Sequence, residues 1–248
     1  MTFRALLLGL MVFGALASAG CFKFGPKSAG KTGVQQDPVQ AATRDREACD
    51  GGAMAACTDL GVRHEKGTGV LQDSGQAAAL YRKACDGGNA QGCSNLGVMH
   101  AKGHAVIQDD ARAVTLFRQA CDGGEMSGCA NLGMMYNKGR GVLQNAVQAA
   151  ALFHQACDGG NARGCFNLGI VYEFGGGIPQ DPDQAAAFYR KACDGRDPLG
   201  CSKLGEMYEK GAGVKQDSAE ALKYYGKACD LKEQKGCDNY AKLKAGKQ

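Results

Sequence analysis

Between residues 93 and 121 the apolar positions follow a helical rhythm twice, with a short loop between. Cys93, Leu96, Gly97 and His100 sit at i, i+3, i+4 and i+7, one face of a helix predicted over residues 89–102. Ala113, Leu116, Phe117 and Ala120 repeat the rhythm over residues 110–121. The interval GHAVIQD ends on Asp109, whose short side chain suits the N-cap of the second helix. Asp73, Asn145, Asp181 and Asp217 stand in the same place elsewhere along the chain. The run DGG at 122–124 then breaks the helix, since glycine enters the left-handed turn that ends helices without steric cost.

This two-helix pattern returns every 36 residues. ACDGGNAQGCSNLGVMHAKGHAVIQD (84–109) recurs as ACDGGEMSGCANLGMMYNKGRGVLQN (120–145) and again as ACDGGNARGCFNLGIVYEFGGGIPQD (156–181). Self-similarity of this length predicts an all-α solenoid of stacked helix pairs over residues 39–248, with five full units plus terminal helices. Each unit has a first helix (A) and a second (B). Gly61, Gly97, Gly133, Gly169 and Gly205 fall in the middle of helix A, where each costs about 1 kcal/mol against alanine. Repeating that penalty is expected only where another helix packs into the space of the missing side chain. Tyr81, Phe117, Phe153, Tyr189 and Tyr225 form an aromatic column on helix B and are expected in the core.

Of thirteen cysteines, twelve make six pairs at i, i+8. The pairs are Cys49 with Cys57, Cys85 with Cys93, Cys121 with Cys129, Cys157 with Cys165, Cys193 with Cys201, and Cys229 with Cys237. Residues eight apart lie about 12 Å apart in one helix and more than about 25 Å apart when extended. A disulfide needs Cα atoms within about 7 Å, so only a turn between the two cysteines permits the bond. Each bridge is therefore expected to staple the end of one helix B to the start of the next helix A. No C-x-x-C, C-x-x-C-H or clustered Cys/His points to a metal or haem, and no cofactor is expected.

The unit NLGVMHAKGHAVIQDDARAVTLFRQACDGG and its copies resemble Sel1-like repeats, relatives of tetratricopeptide repeats. The paired cysteines within KACD…GC…LG are similar to those of the Helicobacter cysteine-rich proteins, over residues 40 to 248. The resemblance implies a right-handed superhelix with helix A lining a concave surface that holds protein or peptide partners. It also implies an alternative activity, β-lactam binding or hydrolysis, which has been ascribed to relatives.

The N-terminus adds an address. Arg4 precedes a nearly apolar run from Ala5 to Ala19, too short to span a membrane comfortably and matching an export signal over residues 1–20. SAGC at 18–21 ends like a lipoprotein signal, making Cys21 the expected lipid acceptor and residues 21–38 a linker to the cell envelope. A cut after Ala19 is the alternative, giving a soluble periplasmic or secreted protein with Cys21 free. Lipidation accounts for the odd cysteine, and export supplies the oxidising compartment that disulfides require. The net charge of +4, one unit of it in the signal, is spread along the chain and forms no basic stripe for nucleic acid.

Two motif matches lie in the linker. GPKSAGKT (Gly25–Thr32) fits the phosphate-binding loop pattern, but no strand precedes it and Gly33 and Pro38 interrupt any helix after it, so no nucleotide is expected. SAGK (28–31) and KTG (31–33) fit β-lactamase elements, yet they share Lys31 and cannot enclose a substrate from two sides. His64 and His100 fill a column otherwise held by Tyr136, Tyr172 and Tyr208. No catalytic residue is assigned.

A second stripe on helix A is the candidate ligand groove. It holds Gln91, Asn95 and Lys102, then Asn131 and Lys138, then Arg163 and Asn167, and finally Lys203 and Lys210. Residues three and four apart share a face, and asparagine amides both donate to and accept from a peptide backbone.

Overall fold

The computed structural model describes residues 37–246, which form twelve helices. The A helices are α2 (Met54–Lys66), α4 (Ala90–Lys102), α6 (Met126–Lys138), α8 (Ala162–Phe174), α10 (Pro198–Lys210) and α12 (Gln234–Ala245). The B helices are α1 (Pro38–Asp50), α3 (Ser74–Asp86), α5 (Asp110–Asp122), α7 (Ala146–Asp158), α9 (Pro182–Asp194) and α11 (Ser218–Asp230). The signal, Cys21 and the Gly25–Thr32 match lie outside the described residues.

Helix ends fall where their caps dictate. Asp73, Asp109, Asn145, Asp181 and Asp217 each accept a backbone N–H in the first turn of helix B. Helix A starts at residue 90 rather than 89, because Asn89 is itself a cap that accepts from the Gly92 N–H. Asn161 and Asp197 do the same for α8 and α10. In the turn from B to A the second residue is left-handed. Glycine takes it at Gly88 (φ 86°), whereas Arg196 (φ 65°) and Lys232 (φ 69°) bear it in the last two turns.

All six predicted bridges are formed, with Cα–Cα distances of 4.5–4.7 Å. Cys49 joins Cys57, Cys85 joins Cys93 and Cys121 joins Cys129. Cys157 joins Cys165, Cys193 joins Cys201 and Cys229 joins Cys237. Each bridge ties the last turn of a B helix to the first turn of the following A helix across a three-residue turn. The A-helix partners Cys57, Cys93, Cys129, Cys165 and Cys201 are buried under the next unit. Cys237, on α12, the last described helix, is half-buried. Closing so short a loop stabilises by about 2.5 kcal/mol per bridge on the chain-entropy estimate.

The core follows the stack, with one large cluster between Ala113 and Ala228 and smaller ones around Tyr81, around Cys121–Cys129 and around Cys49–Cys57. Tyr81, Phe117, Phe153, Tyr189 and Tyr225 are all buried, and each ring lies against the mid-helix glycine of the preceding A helix. A Cβ built at Gly61, Gly97, Gly133, Gly169 or Gly205 would approach that ring to 2.6–2.7 Å. Gly92, Gly128, Gly164 and Gly200 give the same close fit to Ala84, Ala120, Ala156 and Ala192. Successive A helices also touch one another from α2 through α8, and α10 touches α12, whereas the B helices do not pack together comparably. The A helices therefore line the inner side.

Gly133→Ala is expected to destabilise by about 1–3 kcal/mol through overpacking on Phe153, despite alanine's better helix propensity. Gly133→Ala combined with Phe153→Leu should recover most of that loss in chemical denaturation. A single Gly133→Ala that raises the unfolding midpoint would show that the ring does not require the glycine.

Candidate functional site

The inner face of the A helices carries three cavities. One of about 250 Å³ lies over α4 and α6, with Val98, Phe117 and Met134 in its floor and Asn131 at its side. A second, about 410 Å³, lies over α6 and α8 among Phe153, Phe166, Asn167, Ile170 and Phe174. Met134 and Lys138 border both, so the two join into one groove. A third, about 490 Å³, lies between α10 and α12 and is walled by Glu206, Glu209, Lys210, Lys235 and Lys242.

The groove changes character along its length. In the middle, the last residues of α4 and α6, Lys102 and Lys138, make no ion pair among the described residues. Arg140 is occupied: it grips Asp110 with two hydrogen bonds of 2.6 and 3.0 Å and donates to the Ala101 carbonyl at 2.7 Å. That contact holds the Asp110 carboxyl below its usual range. Arg163 lies 3.4 Å from Asp197 and 5.1 Å from the centre of the Phe166 ring. Towards the C-terminus, Lys203 bridges Glu173 (3.2 Å) and Glu206 (3.7 Å), and Lys235 also meets Glu206.

One column explains part of this division. Residues 65, 101, 137, 173 and 209 are Glu, Ala, Asn, Glu and Glu. Tyr81, Tyr189 and Tyr225 each donate their hydroxyl to the glutamate of this column, Glu65, Glu173 and Glu209. Where the core ring is phenylalanine, Phe117 or Phe153, no acceptor is needed and the residue is Ala101 or Asn137. A buried hydroxyl without a partner is costly, so the tyrosines bring glutamates and the phenylalanines leave the middle of the groove without acids. Burial, then the adjacent carboxylate, pushes all three tyrosine pKa values far above the ordinary phenol range.

The structure brings most of the stripe together but does not treat its members alike. Asn131 and Asn167 wall the central cavities, and Asn167 is buried. The side chains of Asn95, Asn131 and Asn167 make no hydrogen bond among the described residues. Gln91 is exposed at the start of α4, Lys210 belongs to the third cavity, and Lys203 is committed to its two glutamates. Phe166 lines the groove although it stands outside the stripe. Its signal in the sequence is a broken column, since the equivalent positions are Thr58, Ser94, Ala130 and Ser202. Among the described residues a serine meets a histidine at Ser74 and His104, 3.4 Å apart on a surface loop, and no carboxylate orients that imidazole. His100 is buried with Nδ1 3.2 Å from the Ile107 carbonyl, a packing role.

The Sel1 repeat profile matches residues 55–89, 90–125, 127–161, 162–197 and 198–233. The chain belongs to the Sel1 repeat family. A search of curated proteins returns no match. Among solved structures, a protective antigen of uropathogenic Escherichia coli with this fold is 36% identical, with a TM-score of 0.69. That alignment covers 78% of this chain and 42% of the antigen, so this chain spans less than half of that protein. A Sel1 repeat protein from Oxalobacter formigenes is 23% identical over 79% of this chain and 84% of its own, also at a TM-score of 0.69. Helicobacter pylori cysteine-rich protein B is 33% identical over 55% of this chain and 98% of its own, with a TM-score of 0.44.

Within this Sel1 repeat protein, Glu173→Ala is expected to orphan the Tyr189 hydroxyl and cost about 1–3 kcal/mol. Glu173→Ala with Tyr189→Phe recreates the arrangement of Ala101 and Phe117 and should restore most of that loss; equal losses in the single and double variants would contradict the pairing. The raised tyrosine pKa values also have a sign. The neutral phenols favour the folded state, so their contribution is complete below about pH 10 and is lost as pH rises above it. Alkaline unfolding should be shallower in the double variant.

Proposed function

We propose that this protein is an exported scaffold, held to the cell envelope by lipid on Cys21, that binds a protein or peptide segment in the groove of its A helices. One observation carries the reading. Two joined cavities over α4, α6 and α8 combine an apolar floor with the amides of Asn131 and Asn167, which have no hydrogen-bond partner among the described residues. An amide of this kind pairs with a peptide group in both directions. The apolar floor accepts side chains, and groups of this composition are typical of binding clefts.

Charge narrows the ligand. Lys102 and Lys138 stand over the central groove without acidic partners among the described residues, and Ala101 and Asn137 replace the glutamates found in other units. The ligand class is thus a segment with apolar side chains flanked by carboxylates, a C-terminal carboxylate included. Neutralising charge beside an apolar floor favours such a segment over a basic one. Export is supported by six disulfides, which persist in oxidising compartments, and by the apolar run ending at SAGC. Among the described residues no side-chain pair gives specific support to β-lactam chemistry, so the binding reading is preferred.

A displayed peptide library selected on the oxidised protein tests the reading. Asn95→Ala, Asn131→Ala and Asn167→Ala together are expected to weaken the selected peptides roughly 100-fold, at about 1 kcal/mol per lost hydrogen bond. The melting temperature should stay within a few degrees, because these amides bind nothing within the fold. Unfolding of the triple variant would make the stripe structural and remove the site. Selected peptides lacking acidic residues would remove the role of the lysines.

A further inference from the structure

Among the described residues, six large apolar side chains stand exposed: Val39, Leu71, Ile107, Leu143, Val147 and Phe174. They are gathered on one edge of the solenoid. Leu71, Ile107 and Leu143 hold the same position in three successive loops from helix A to helix B, and are 89–90% exposed. Val39 and Val147 are the second residues of α1 and α7, and Phe174 is the last residue of α8. All these places lie where A helices end and B helices begin.

Contacts between units show that this is a single edge. Each loop rests on the N-terminus of the preceding B helix: a side chain at Gly69 would overlap the Pro38 carbonyl, and one at Gly213 the Pro182 carbonyl. Ser74 meets His104 and Arg140 grips Asp110 across the same seam. Loop stability does not demand the exposed residues. The preceding position, Val70, Val106 or Val142, already half-buries an aliphatic side chain against the solenoid. In the last two loops the exposed position is Pro179 or Lys215. The opposite edge, built from the Asp-Gly-Gly turns, bears no exposed large apolar residue among the described residues.

The described residues begin at this apolar edge. Asp37 caps α1, and Pro38 lies under the loop that presents Leu71. From an anchor at Cys21, the fifteen residues 22–36 reach at most about 50 Å even when fully extended. We propose that this edge docks on the bilayer surface, with Leu71, Ile107 and Leu143 entering the interfacial layer and the turn edge facing away. The inference rests on the lipid anchor proposed above. A tether converts docking into an intramolecular event at high effective concentration, so three weakly inserting tips suffice. Lys66 lies five residues before Leu71 and can lay its stem along the surface with its ammonium group among headgroups. Asp73 and Asp109 lie beside two of the tips, so apolar insertion rather than net charge drives the contact.

The chain has no tryptophan, which makes single reporters clean. Leu71→Trp, Ile107→Trp and Leu143→Trp would each be placed in the full chain, purified with its membrane anchor and reconstituted in phospholipid vesicles, beside Gln155→Trp in the last turn of α7. The edge reporters are expected to shift to the blue and to be quenched by quencher-bearing lipids, while Gln155→Trp does neither. Leu71→Ser, Ile107→Ser and Leu143→Ser together should expose a Val147→Trp reporter to water without altering the melting temperature. Sedimentation with vesicles reads the anchor separately. Edge reporters that stay water-exposed on sedimented protein overturn the docking while leaving the anchor intact; protein that does not sediment overturns both. Reporters already shielded before lipid is added would assign the edge to a second copy of the chain and also overturn the proposal.

Discussion

The contact between an aromatic ring on helix B and a bare glycine on helix A sets the spacing of this molecule. Tyr81, Phe117, Phe153, Tyr189 and Tyr225 reach the opposing backbone because Gly61, Gly97, Gly133, Gly169 and Gly205 have no side chain. Five helical glycines weaken the isolated helices, and burial of the rings offsets that cost in the folded stack. The same contact decides where polarity can go. A tyrosine ring carries its hydroxyl to the inner surface and requires an acceptor there, whereas a phenylalanine ring requires none. Core choice in each unit therefore fixes the charge of the groove above it, and the two phenylalanine units create its apolar, cationic middle.

Covalent closure complements this packing. Each disulfide, such as Cys121 to Cys129 or Cys157 to Cys165, spans a B-to-A turn and does not cross the groove or the A-to-B loops. Stability thus accumulates on the turn edge and along the central seam. The inner face and the opposite edge remain free to vary from unit to unit. They do vary: Lys102 and Lys138 give way to Phe174, and Leu71, Ile107 and Leu143 give way to Pro179 and Lys215. A repeat architecture tolerates such change because each unit leans only on its neighbours.

Much of this fold was written in local patterns. The 36-residue period, the cap residues and the i, i+8 cysteines each depend on contacts within one unit or between adjacent ones, so a single sequence reveals them. Helix A begins one residue late because Asn89 serves as a cap rather than as a helical residue. The stripe of Asn95, Asn131 and Asn167 was legible as a face, since helical spacing alone places it. What each member does was not legible. Lys203 and Lys138 look alike in sequence, yet Lys203 lies between Glu173 and Glu206 while Lys138 has no ion-pair partner among the described residues, and those glutamates come from different helices.

The sequence alone determined the repeat, the bridges and the aromatic column, because periodic burial and short covalent loops leave few other solutions. Only the tertiary structure decided which lysines are held in ion pairs, how two cavities join across Met134, and that every exposed large apolar side chain among the described residues falls on one edge. Those outcomes depend on how neighbouring units are brought together. Distances between side chains of different units follow from the packing of whole helices, and no local pattern records them.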